Sequence, residues 1–79
     1  MNEQTVRIRD LGLAAALVSC AFEMRGTTRD GSGQAYFMFT QTNELDQTVN
    51  KYWADTLQVR ARHYSDGLKM LKSRLYSER

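Results

Sequence analysis

Arg62, Lys69, Lys72 and Tyr76 fall on one face of the segment ARHYSDGLKMLKSRLY, residues 61–76, when that segment is wound as a helix, with Ser65 between them. Cationic side chains one to two turns apart can follow a phosphate backbone, and a terminal tyrosine can stack on a base or hydrogen bond to the chain. Arg60 and Arg74 lie nearby and enlarge the basic set. The plainer reading of such a stripe is a solvated helix face, because helices ordinarily carry their lysines outward. A helix-turn-helix fits poorly, since residues 54–60 form a connection longer than the usual turn of roughly three or four residues.

A second set, Tyr36, Phe37, Met38 and Phe39, sits in the run AYFMF. Aromatic residues on a sheet can stack bases. No basic residue interleaves with these in the sequence, so core packing on one face and a protein contact or dimer on the other is the better reading. The run is apolar on both faces, and the face away from the core needs a partner, a loop or a second subunit to cover it.

Catalytic chemistry is harder to assemble from this chain. A nucleophile needs a base and an orienting group, and a metal needs three or four ligands. Cys20 and His63 are each the only residue of their kind. Cys20 lies in an apolar run and reads as a small buried hydrophobe rather than a reactive thiol. His63 reads as a partly exposed helix residue rather than a pH switch. The carboxylates Glu3, Asp10, Glu23, Asp30, Glu44, Asp46, Asp55, Asp66 and Glu78 are scattered singly and read as caps or solvated residues. Gly31 and Gly33 do not precede a helix as a phosphate-cradling loop would. The expectation is a non-catalytic protein with no metal and no cofactor.

Composition sets the frame for these groups. The chain has 79 residues, of which 42% are hydrophobic, enough apolar surface to fold as one domain spanning residues 1–79. A chain of this size buries only about 60–65% of its unfolded surface, so the core is small and oligomerisation would help it. Residues 56–79 hold six Lys or Arg against two acids, a net +4, which leaves −2 for the remainder of a chain whose total is +2. Positive charge is thus concentrated toward the C-terminus, where an anionic surface, DNA or RNA, could be met. The single cysteine excludes an intrachain disulfide, and no apolar run is long enough to span a bilayer. These features fit a cytoplasmic protein with no membrane partner.

Periodicity places the functional candidates on elements. Thr5 to Arg9 alternates as a short strand does, with Val6 and Ile8 on one side. Asp10 can cap a following helix, and DLGLAAALVSCAF is apolar nearly all round, predicting a central buried helix through about Cys20 whose Ala14, Ala15 and Ala16 admit close neighbours. Runs from Phe22 to Thr28 and from Gln34 to Thr40 flank Arg29-Asp30-Gly31-Ser32-Gly33, a hairpin signature. Thr42 or Asn43 can cap the next helix, with Glu44 and Asp46 in its first turn and Leu45, Val49, Tyr52 and Trp53 on its buried face, Trp53 as a core anchor. Asp55 to Arg60 connects, with Leu57 and Val59 able to form a short edge strand. In the last helix Tyr64, Leu68, Leu71 and Leu75 recur at i, i+4, i+7 and i+11 and form its buried stripe. The expected fold class is α+β: a short N-terminal strand, a central apolar helix, a β-hairpin and two further helices around one small core.

The segments DLGLAAALVSCAF, AYFMF, NELDQTVNKYW and RHYSDGLKMLKSRLY together resemble a family of small domains of unknown function found in bacteria, phages and mobile elements, over about Asp10 to Tyr76. The resemblance rests on core positions and the lysine-bearing last helix. It implies a fold and an accessory role in a phage or mobile element, as a protein-interaction or inhibitor module or otherwise, and carries no catalytic residue. This chain departs from the family pattern where a glycine tends to end the first helix, having Cys20-Ala21 there, and in a longer hairpin loop.

Overall fold

The computed structural model describes residues 4–77, in the order β1 (Thr5–Ile8), α1 (Leu11–Ser19), β2 (Met24–Arg29), β3 (Ala35–Thr40), α2 (Asn43–Trp53) and α3 (Ala61–Ser77). Glu3, Glu78 and Arg79, which enter the charge balance, lie outside the described residues. The fold is α+β. Its three strands form an antiparallel sheet in the order β1-β3-β2, so the most apolar strand, β3, takes the centre. There it pairs with β1 (Val6 opposite Phe39, Ile8 opposite Phe37) and with β2 (Thr27 opposite Phe37, Thr28 opposite Tyr36).

Alternation along β3 then sorts its side chains. Phe37 and Phe39 are buried in one cluster with Ile8, Leu13, Ala14, Ala15, Leu17, Leu45 and Leu71, which places all three helices on that face of the sheet. Tyr36 and Met38 project from the opposite face. Of the candidate set Tyr36, Phe37, Met38 and Phe39, the pair Phe37 and Phe39 is therefore core and is removed from any surface.

The helix starts follow from local chemistry. Asp10 Oδ1 accepts the Leu13 amide at 2.8 Å, and Thr42 Oγ1, rather than Asn43, accepts the Leu45 amide at 3.0 Å, each satisfying one of the amides a helix start leaves open. Two helix ends close in the same way. The Phe22 amide reaches the Leu17 carbonyl while Ala21 stands at φ 70°, and the Thr56 amide reaches the Lys51 carbonyl while Asp55 stands at φ 61°. Both are left-handed closures in which glycine is the usual residue. The departure at Cys20-Ala21 thus leaves the turn intact and makes alanine adopt it. Half-buried Cys20 caps α1 there, and partial burial pushes its thiol above the usual range.

Three expectations are corrected. Strand β2 begins at Met24, two residues later than the apolar run at Phe22, and a bulge at Arg25 with Gly26 at φ 154° shifts its register. No strand forms across residues 56–60. Trp53 is 63% exposed and anchors no core, because it stands about 100° around the helix from Tyr52, at the edge of the apolar stripe.

The hairpin turn is organised by Asp30. Its Oδ1 accepts from the Ser32 amide and hydroxyl and from the Gln34 amide, and its Oδ2 accepts from the Tyr36 hydroxyl at 3.1 Å. The Ser32 hydroxyl above all, with the amides and Tyr36, holds the carboxyl down at about 2, against an opposing desolvation. All these bonds favour the ionised form, so the turn's contribution is complete above the ordinary carboxylate pKa and is lost as pH falls through about 2. Acid titration followed by NMR is expected to find the Asp30 carboxyl titrating near 2. The wild-type advantage in melting temperature over Asp30→Ala should shrink over the same pH range.

Candidate nucleic-acid interface

Helix α3 lies against α1 through Tyr64, Gly67, Leu68, Leu71 and Leu75, of which Leu71 is fully enclosed. That docking turns Arg62, Lys69, Lys72 and Tyr76 outward, all of them exposed. At about 100° and 1.5 Å per residue, Arg62, Lys69 and Tyr76 stand nearly one above another at intervals of about 10 Å, with Lys72 a step to one side. Arg60 is exposed in the connection immediately before the helix. Arg74 does not belong to this set: it stands about 200° around the axis from Lys72, on the shoulder that also carries His63 and Met70.

The stripe ends at a cleft that the sequence did not announce. Leu11 of α1, Arg29 of β2 and Lys72, Leu75 and Tyr76 of α3 line a concavity of about 520 Å³. Arg29 closes β2 instead of belonging to the hairpin loop. Its Nη1 donates to the Gly33 carbonyl at 2.9 Å, so its guanidinium is held beside the hairpin. Two cations from different elements and a tyrosine that is 65% exposed therefore border one apolar floor. A phosphate can be held by the cations while a base lies on the ring or the leucines.

The opposite face of the sheet carries Tyr36 and Met38 among polar neighbours. Register places Arg7 opposite Met38, and the Arg7 guanidinium lies 5.0 Å from the centre of the Tyr36 ring. Arg25 reaches Thr40 at 3.5 Å. Basic residues do accompany these aromatic positions, supplied by neighbouring strands rather than by the run itself, which is why the sequence hid them. Arg7 lies against the Tyr36 ring, and the ring hydroxyl is held by Asp30, so this tyrosine is already engaged within the chain.

A second concavity, of about 420 Å³, opens at the end of α2 and is lined by Ala16, Tyr52, Trp53, Asp55, Leu57, Val59 and Tyr64. Among the described residues no cluster of three His, Cys, Asp or Glu side chains is placed to hold a metal ion. No helix among them is long and apolar enough to cross a membrane.

A three-stranded antiparallel sheet backed by three helices defines the class as a small α+β protein. The family described as Domain of unknown function (DUF5659) matches residues 3–77, and the chain belongs to that family. No curated protein and no solved structure matches it.

Proposed function

We propose that the protein is a non-catalytic module that binds DNA or RNA through α3, mainly by phosphate contacts and with little sequence specificity. The supporting observation is the convergence of Lys72 and Tyr76 with Arg29 in one cleft at the end of the Arg62–Lys69 stripe. Arg60 extends the same path, whereas Arg74, turned to the other shoulder, leaves the proposed site. The reading sets the protein in the cytoplasm and, following the resemblance, in a phage or mobile element.

The test is fluorescence anisotropy of labelled single- and double-stranded oligonucleotides across a salt series. Affinity is expected to fall linearly in log–log form with salt. Each lost phosphate contact removes a slope of about 0.9, so Lys69→Glu combined with Lys72→Glu should lower affinity by about 50-fold near 0.1 M salt and flatten the slope by roughly 2. Both side chains are exposed, so the melting temperature should hold. Unchanged binding in the double variant would remove α3 from the function.

The open sheet face supports a second reading, in which Tyr36 and Met38 meet a protein partner or a second copy of the chain. Light scattering decides its dimer form: a Met38→Lys variant should dissociate any dimer built on that face.

A further inference from the structure

We infer that the concavity at the end of α2 is a binding site for a small quaternary ammonium ligand. Tyr52, Trp53 and Tyr64 line it, and the Tyr52 and Trp53 rings pack edge to face, at 85° with centres 5.0 Å apart, which fixes them against each other. A cation over aromatic faces is held by the ring quadrupole, and trimethylammonium groups, which offer no hydrogen bond, are recognised in this way. Leu57 and Val59 complete an apolar border suited to the methyl groups.

Charge at this site has one sign. Among the described residues Asp55 is the only charged side chain lining it, and the site lies at the C-terminal, partially negative end of α2. Burial pushes the Tyr52 hydroxyl above its ordinary range, and the Asp10 carboxylate and then Tyr64 push the same way, so a further negative field reaches this wall. Among the described residues no Lys, Arg or His lines the concavity to cancel it. The site is separate from the Arg29–Lys72–Tyr76 cleft and does not depend on nucleic-acid binding.

The backbone at Asp55 supplies a control. It stands at φ 61° in a helix closure where glycine is free of strain. Ala21 holds the equivalent position after α1, at φ 70°, away from this site. The two positions share a conformation but differ in whether they face the aromatic walls, which makes Ala21→Gly the matched control for Asp55→Gly.

Trp53 is the only tryptophan, so its fluorescence reports directly on the site. Choline should change it saturably in the millimolar range at fixed ionic strength. Its neutral isostere 3,3-dimethyl-1-butanol should bind at least about tenfold more weakly. Asp55→Gly should hold or raise the melting temperature yet weaken choline by about tenfold, while Ala21→Gly should leave choline binding unchanged. Equal binding of choline and the alcohol, no saturable response, or an undiminished response in folded Asp55→Gly would overturn the assignment.

Discussion

Replacing Phe39 with alanine is expected to leave the protein largely unfolded at 37 °C. Phe39 is wholly inaccessible and sits in the central strand, opposite Val6 on one side and Met24 on the other. Truncating such a ring costs about 3–5 kcal/mol through lost transfer energy and the cavity left behind. Typical stability of about 0.05–0.15 kcal/mol per residue gives a chain of this length only about 4–12 kcal/mol in total. The cavity cannot readily collapse, because both neighbouring strands are fixed by ladder hydrogen bonds and Leu45 holds the same core from α2. Urea unfolding followed by circular dichroism gives the number. Phe39→Leu, which keeps most of the volume, should cost under about 1.5 kcal/mol. Tyr36→Ala, on the open face, should cost far less than Phe39→Ala. Equal losses at positions 36 and 39 would contradict the assignment of the two sheet faces.

That contrast also shows where sequence reading reaches its limit. Alternation in AYFMF announces two faces, but the run is apolar on both, so nothing local says which pair is inside. The choice depends on β1 lying beside β3, a contact between segments about thirty residues apart in the chain. Local signals did better. Asp10 and Thr42 act on amides three residues away, and the stripe of Tyr64, Leu68, Leu71 and Leu75 is written at helical period within one segment. Trp53 misled because its i+8 spacing from Leu45 counted it with the buried face, although it is 63% exposed. Its angle at the stripe's edge, together with the end of the helix, leaves nothing to cover it.

The proposed interface divides along the same line. Arg62, Lys69, Lys72 and Tyr76 belong to one helix, so their common face follows from helical geometry. Arg74 shows that proximity in sequence is a poor substitute for that geometry: two residues beyond Lys72, it points the other way. Arg29 could not be joined to the stripe by any local rule, because the cleft is made where the end of β2 meets the end of α3. The aromatic site is legible only in part. Tyr52 and Trp53 are adjacent, but Tyr64 and Asp55 reach them through the connection after α2, whose path has no regular period to read.

Enlarging Gly67 should be as damaging as emptying the core, for the opposite reason. Gly67 is buried in the middle of α3, and a Cβ there would stand 3.2 Å from the Ala15 carbonyl oxygen and 3.7 Å from its Cα. The obstacle is main chain, and α1 has little room to yield: Ala14, Ala15 and Leu17 are fully enclosed. Helix propensity favours alanine over glycine by about 1 kcal/mol, so Gly67→Ala measures that gain against the tight contact and is expected to bring no net stabilisation. Gly67→Leu adds a branched side chain that fits only if α1 and α3 separate, which also unseats Leu71. A loss above about 3 kcal/mol is expected, at the upper end of overpacking costs. Chemical denaturation of the two variants beside Gly31→Ala makes the comparison, since an added Cβ at Gly31 meets nothing within 4 Å. A Gly67→Leu protein as stable as wild type would mean that α1 and α3 are not held at this distance. The basic stripe would then lose the rigid packing that turns Lys69 and Lys72 outward together.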